Sequence, residues 1–276
     1  MFGYGIGISD IRVTVGDGVQ KDCLQKIYPV ARWVAAAFAG SVKIGFAMID
    51  KLSRLGNAIE EPYAIVPTVM AREWPAMARG LFEKFPEEDR SGASHLMLIS
   101  ADPQEDNGNP DWPRCYVHIF RSPAFEQEEI PAHKMGSIGI GQCYEKCRGI
   151  VDTFSNSYER RFFYMETGTG GAGGIATSIG HDLTILLKSE APEFISSHLH
   201  YCWVYRGQII IESNDHVSKG PWTISPLGHR QDEFDFRPES HDEGSEIFRM
   251  PRVAQTWLEL EDILHEQDLS AAGAVA

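Results

Sequence analysis

The sequence predicts a mixed α+β fold, in which groups of strands and pairs of helices follow one another along the chain. Apolar residues alternate or run together in short β-rich segments and recur at helical spacing in others. The two kinds of segment are grouped rather than strictly alternating, which argues against a parallel sheet of βαβ units. With 276 residues, of which 43% are hydrophobic, the chain is long enough to bury a large core.

The first half of the chain combines β-type and helical patterns. Glycine and turn residues end the opening strand, and Pro29 interrupts an apolar pair of strands. Helical spacing of apolar residues predicts two helices, the second of them despite Pro75. In chain order we predict a strand with its turn at 2–18, a hairpin at 23–30 and 32–40, helices at 42–55 and 65–85, and strands at 94–101 and 114–121.

The second half repeats this order of elements. In chain order we predict a strand at 133–142, a helix at 142–154, a glycine-rich loop from Glu166 to Gly174, a helix at 175–189, a hairpin at 198–206 and 207–213, and an amphipathic helix at 253–267. The composition becomes polar and irregular after about Val217. We therefore expect a main domain over residues 1–217 and a C-terminal extension over 218–276.

Charge and composition narrow the functional classes. The formal net charge of -14 repels phosphate backbones and anionic membranes, so nucleic acid and membrane partners are not expected. The chain contains no apolar run near the roughly 20 residues of a membrane span, and we expect a cytoplasmic protein. Five scattered cysteines indicate reduced thiols. His198 and His200 share a strand face but have no visible third ligand, so neither a metal nor a cofactor is expected.

Three segments near the N-terminus carry a resemblance to a known family. The motif SDIRVT (Ser9 to Thr14), the segment LQKIYPV and the segment AAAFAGSV match family motifs in residue type and in mutual spacing. Together they resemble the proteasome-like branch of the N-terminal-nucleophile hydrolases. The resemblance extends more loosely over roughly residues 1 to 215, through GSIGIGQCYEKCRGIV and the closing hairpin HLHYCWVYRGQIII.

The resemblance implies a four-layer αββα sandwich, a homo-oligomer, no cofactor, and hydrolysis of peptides or small amides. In this family a Thr, Ser or Cys at the mature N-terminus attacks a carbonyl while its own α-amino group acts as base. Matched position by position, Asp10 and Lys26 would tune the nucleophile, and the N–H of Gly40 would polarise the carbonyl. A bulky residue at Gly40 is expected to abolish hydrolysis while sparing the fold. The supporting residues would be Arg12, Ser41, Glu193 and Ser196.

The sequence also departs from the family pattern. No Thr, Ser or Cys precedes Ser9, and the nine residues before Asp10 leave no room for the strand that bears the nucleophile. The family's serine in a GSG motif corresponds to Ile140. Two interpretations follow: translation begins upstream and supplies the nucleophile, or the protein is a catalytically inactive proteasome-like subunit that serves assembly or binding. An amidohydrolase acting on small amides is a third possibility.

Overall fold

The computed structural model describes residues 4–16, 18–31, 33–57, 67–102, 114–131, 134–139, 145–158, 169–205, 208–214, 222–224, 230–232 and 250–273. These residues form a mixed α+β structure with several antiparallel sheets, as the sequence predicts. Ile140 and the start of the glycine-rich segment at 166–168 lie outside the described residues.

One sheet joins the N-terminal strand to the closing hairpin of the chain. Its five strands are, in spatial order, β1 (Tyr4–Asp10), β9 (Leu199–Tyr205), β10 (Gln208–Ser213), β11 (Trp222–Ile224) and β12 (Arg230–Asp232). Every neighbouring pair is antiparallel. The predicted hairpin of β9 and β10 is confirmed, and the first strand of the chain pairs with it.

The second sheet carries the predicted central strands. In spatial order it contains β4 (Ile27–Ala31), β5 (Val34–Gly40), β6 (Ser94–Asp102), β7 (Arg114–Arg121) and β8 (Gln127–Ile130), all antiparallel. The hairpin of β4 and β5 and the pairing of β6 with β7 are confirmed. Strand β8 is an addition that the sequence did not predict, because its residues QEEI lack an apolar pattern.

The N-terminal segment forms two strands rather than the single strand predicted. The chain bends at Ile11, so that β1 joins the first sheet while β2 (Arg12–Val15) forms a separate hairpin with β3 (Val19–Asp22). Ile11 is buried, and its carbonyl accepts hydrogen bonds from the backbone N–H groups of Cys23 and Leu24. These bonds stabilise the bend, and the alternating pattern alone does not reveal it.

The helices flank the two sheets. They are α1 (Val42–Asn57), α2 (Pro67–Phe82), α3 (Glu87–Arg90), α4 (Glu145–Tyr158), α5 (Thr169–Glu190) and α6 (Trp257–Gly273). The five long helices confirm the predicted ones, and Pro75 lies inside α2 as expected. Among the described residues, no helix has the length and apolarity needed to cross a membrane.

Two predicted boundaries are wrong. Residues 134–139 of the predicted strand at 133–142 form no strand, because β8 already occupies the position beside β7 at the edge of the sheet. The predicted loop from Glu166 to Gly174 ends early, since α5 begins at Thr169. Glycines have poor helix propensity, but the apolar face farther along α5 packs on the first sheet and outweighs that preference.

Apolar residues form three clusters. One lies between the second sheet and helices α1, α2 and α6, and includes Leu52 and Leu98. Another lies between the first sheet and helices α4 and α5, and includes Leu183. The third lies between the two sheets, where Ile99 meets Val204. Each sheet therefore buries both faces.

The two sheets approach closely at β1. A Cβ added at Gly5 would lie 2.6 Å from the side chain of Ile99, and one added at Gly7 would lie 2.4 Å from it. Both distances are too short for a real side chain, because the side chain of Ile99 occupies the space above these glycines. The glycines of the opening strand are thus explained by packing between the sheets.

The C-terminal residues contact the main core. Strand β11 pairs with β10, and Ala254 bridges to Leu24. Leu260 and Ile263 of α6 are buried in the same cluster as α1. The expected division at residue 217 remains a prediction, although these contacts cross it.

Replacing Leu52 by alanine should destabilise the protein. Leu52 is 0% exposed in the cluster beneath α1, so the substitution leaves a cavity and should lower the free energy of unfolding by about 2–5 kcal/mol. Urea unfolding followed by circular dichroism measures the change. Leu258→Ala is the matched control, since Leu258 is 72% exposed on α6 and its loss should cost under about 0.5 kcal/mol. Equal effects of the two variants would contradict the assigned core.

Candidate functional site

Asp10 and Lys26 form an ion pair at the ends of two strands. Asp10 ends β1, and Lys26 directly precedes β4. The Lys26 Nζ lies 3.0 Å from Asp10 Oδ1 and 3.1 Å from Oδ2, and the backbone N–H of Arg12 donates to Oδ1 at 2.7 Å. The side chain of Lys26 is 18% exposed, and that of Asp10 is 22% exposed. The structure therefore brings these two predicted residues together at a site that solvent still reaches.

Arg12 belongs to a second, adjacent network. Its Nε and Nη2 donate to the two carboxylate oxygens of Asp22 at 2.7 and 3.2 Å. Its Nη1 donates to the backbone carbonyls of Pro192 and Glu193 at 3.1 and 2.7 Å. This paired geometry is a strong form of charge-assisted hydrogen bonding. Arg12 thereby attaches the β2–β3 hairpin to the segment that follows α5.

Ser196 takes part in the same network as a buried structural group. Its Oγ donates to Asp22 Oδ2 at 2.6 Å and accepts from the backbone N–H of His198 at 3.0 Å. Ser196 is 0% exposed. Glu193 contributes its carbonyl, while its side chain is exposed. Both predicted supporting residues thus contact the Arg12 network rather than the Asp10–Lys26 pair.

Asp22 is the residue of this network that the sequence did not single out. Burial by itself would raise its pKa, but hydrogen bonds from His198, Arg12 and Ser196 outweigh that effect and hold the pKa well below its ordinary value of 3.8. Asp22 also raises the pKa of the Arg12 guanidinium. The only sequence signal was an acidic residue at the end of a short polar strand, which is too common to be diagnostic.

Gly40 occupies a turn that tolerates no side chain. Its φ is +100°, and an added Cβ would lie 1.6 Å from the carbonyl oxygen of Ala93. Helix α1 begins two residues later, and the hydroxyl of Ser41 accepts from the N–H of Ile44 at 3.4 Å in the manner of an N-cap. The expectation that a substitution at Gly40 spares the fold is wrong, because the backbone itself would have to move.

A large cleft is lined by most of the predicted site residues. Its volume is about 1490 Å³. Five of the predicted site residues line it, namely Asp10, Arg12, Lys26, Gly40 and Ser41. Much of the remaining lining is apolar, contributed by β1, β6 and α5. A cleft of this size accommodates a peptide or a sizeable small molecule.

The thiols of the cleft are not activated. Burial raises the pKa of the Cys147 thiol to about 11, with Asp10 and Glu190 adding to the shift, and burial also raises the pKa of Cys115. A protonated thiol is a poor nucleophile. All four described cysteines are free, in agreement with the predicted reduced thiols. Neither Cys115 nor Cys147 is therefore suited to attack a carbonyl.

Histidines 198 and 200 do not form a metal site with other described residues. His198 contacts Asp22 and Ser196. His200 is buried, and its desolvation together with the charge of Lys26 lowers its pKa to about 4. Among the residues that the structure describes, no three His, Cys, Asp or Glu side chains are grouped as a metal ion requires.

Comparison with known proteins adds no family assignment. The chain matches no known protein-family model and no curated protein.

Asp22→Asn should weaken the protein at neutral pH. The substitution removes the charge that Arg12 and Ser196 contact, and the free energy of unfolding at pH 7 should fall by about 1–3 kcal/mol. Because the pKa of Asp22 is lower in the folded protein than in the unfolded chain, this stabilisation is present above about pH 4 and is lost as the pH falls further. Urea titrations at pH 7 and pH 3 should show the difference between wild type and variant shrinking.

Asp50→Asn provides the control for this measurement. Asp50 also pairs with an arginine, Arg54, but it is exposed on α1, and pairs of this kind contribute little. Its substitution should change stability by less than about 0.5 kcal/mol at either pH. A pH-independent difference for Asp22→Asn would contradict the role of its charge.

Proposed function

We propose that the protein is a proteasome-like N-terminal-nucleophile hydrolase that cleaves amide bonds in peptides or small amides. The observation that carries this proposal is the Asp10–Lys26 ion pair, which lines the same cleft as Gly40. These are the positions that the family resemblance assigns to nucleophile tuning and to carbonyl polarisation. Asp10, Lys26 and Gly40 are well separated in the sequence, and it is the fold that brings them to one cleft.

The architecture supports the proposal as well. Two antiparallel sheets pack on each other, and each outer face is covered by helices. This order of layers agrees with the four-layer αββα sandwich that the resemblance implies. The site lies where β1 and β5 end and β4 begins, so three strands of two sheets contribute to it.

In the proposed reaction, each residue has a distinct role. A Thr, Ser or Cys at the head of a mature chain that begins upstream attacks the carbonyl, and its α-amino group accepts the proton. The Lys26 ammonium stabilises the deprotonated nucleophile, and Asp10 holds Lys26 through two hydrogen bonds. The N–H of Gly40 stabilises the oxyanion of the tetrahedral intermediate. Collapse of this intermediate breaks the C–N bond, and the amine leaves with the proton that the α-amino group had accepted. Water then adds to the acyl-enzyme, releases the carboxylic acid and restores the nucleophile.

A catalytically inactive subunit is the competing function. The ion pair by itself accounts for Lys26 and Asp10, since the Nζ contacts both carboxylate oxygens. Burial raises the pKa of both described thiols of the cleft, Cys115 and Cys147, so neither is an activated nucleophile. In this case the cleft binds a peptide or a partner segment without cleaving it, within a homo-oligomer as the family resemblance implies.

The N-terminus of the protein made from its native gene distinguishes the two functions. The gene should be expressed with its upstream DNA, and the product examined by intact mass and N-terminal sequencing. A mature chain headed by Thr, Ser or Cys supports the hydrolase. A chain that begins Met-Phe and releases no fluorophore from peptide-aminomethylcoumarin substrates supports the inactive subunit.

Lys26→Met should abolish hydrolysis in that native product. Methionine keeps much of the side-chain volume but removes the ammonium, so kcat/KM for peptide-aminomethylcoumarin substrates should fall at least about 100-fold. Lys51→Met is the control, because Lys51 is exposed on α1, outside the cleft. Hydrolysis that persists in Lys26→Met at the wild-type rate would contradict the proposed mechanism.

A further inference from the structure

His95 lies beside the turn that contains Gly40. It stands on β6 directly opposite Ala39, the residue before Gly40, and opposite Arg121 on the other side. Directly opposed residues of antiparallel strands have Cα atoms about 4.5–5.5 Å apart, so His95 lies next to the residue that precedes the turn. Among the described residues, His95 is the one histidine that lines the cleft.

Small residues lie beside His95. Ala39 is small, and the backbone of Gly139 lies over it, since a Cβ on Gly139 would approach the Ala39 Cβ to 2.8 Å. Gly139 has a φ of +75°. The segment 134–139 therefore covers Ala39 at Gly139, and Gly139 adds no side chain there.

One ring nitrogen of His95 has no protein partner. The Nδ1 atom is buried and makes no hydrogen bond among the described residues. A buried polar atom without a partner costs free energy, which a ligand or a water molecule recovers when it supplies the missing hydrogen bond. The Nδ1 atom is enclosed by protein, while the partly exposed His95 side chain lines the cleft, so a ligand that reaches the ring can supply its missing hydrogen bond.

The charges near His95 favour the neutral imidazole. Burial and the guanidinium of Arg121 lower its pKa, and together they outweigh hydrogen bonding with the backbone of Ser94, which raises it. Arg121 itself pairs with Glu128 of β8 and donates to the carbonyl of Ser137 at 3.4 Å. From β5, Ala39 contributes no charge, and the segment over the strands places Lys134 in the same cleft. A neutral imidazole offers one donor and one acceptor.

We propose that His95 contacts the ligand of this cleft, forming a hydrogen bond with an amide group held in front of Gly40. The inference rests on the proposed function for the class of ligand, since a peptide or small amide is what that function binds. It adds a residue to the site that the resemblance to the hydrolase family does not include. His95 positions the ligand, and the attacking group remains a separate one.

A binding experiment on the full chain tests the inference without requiring catalysis. The probe is N-acetyl-leucyl-leucinamide, whose side chains suit the apolar lining and whose amides are not reactive. Histidine Cε1–H signals are followed by carbon-13-edited NMR during titration with the probe, and the His95 signal is assigned in the wild-type protein by through-bond correlation to its own backbone. The His95 signal should shift with the probe, and His95→Gln should bind it about 3- to 10-fold more weakly.

His181→Gln is the matched control, since His181 is exposed on α5 and outside the cleft. Its affinity for the probe should equal that of wild type. An unchanged His95 signal throughout the wild-type titration overturns the inference, and this readout stands even if His95→Gln fails to fold. If backbone signals of Gly40 and Lys26 respond while His95 does not, the inference fails and the proposed function stands. If His95 responds but Lys26→Met hydrolyses normally, the proposed function fails instead.

Arg121→Gln gives an independent measurement of the surroundings of His95. Removing the guanidinium, and freeing Glu128, should raise the pKa of His95 in a pH titration by NMR. The titration of exposed His181 should not change. An unaltered His95 titration would show that Arg121 does not act on the imidazole and would contradict the proposed geometry.

Discussion

The contact of Ile99 with Gly5 and Gly7 sets the spacing on which the site depends. The Ile99 side chain occupies the space that side chains at the two glycines would need, so the two sheets meet closely at β1. This contact brings the end of β1 to the start of β4. Asp10 and Lys26 consequently come within 3.0 Å although they belong to different sheets. A wider spacing would separate the carboxylate from the ammonium.

The bend at Ile11 directs its two charged neighbours, Asp10 and Arg12, to different partners. Ile11 is buried, and its carbonyl is bonded to the N–H groups of Cys23 and Leu24, so the residues on either side point to different partners. Asp10 meets Lys26 in the cleft, while Arg12 meets Asp22 and the carbonyls after α5. The second pair supports the first, because it fixes the chain immediately after Asp10. One short segment thereby supplies both the candidate chemistry and its scaffold.

The sequence predicted the elements whose signals are local. The 3.6-residue spacing in α1 and the apolar runs of β5 to β7 depend on each element alone. Asp10, Lys26 and Gly40, which the motif spacing had grouped, line one cleft in the structure. The bend at Ile11, the partner of Arg12 and the position of His95 depend on which strands pair. No sequence motif marks Asp22 or His95, and only the pairing of strands brings each of them to its contacts.

The attachment of Arg12 to Glu193 has a consequence for how the protein is made. The two residues are 181 positions apart in sequence. Strand β1 likewise pairs with β9, which comes much later in the sequence. During synthesis β1 emerges from the ribosome long before β9 exists, so these two strands pair only after the second sheet and α1 can already have assembled. The cleft is therefore completed only once α5 and β9 have been made, because both contribute residues to its wall.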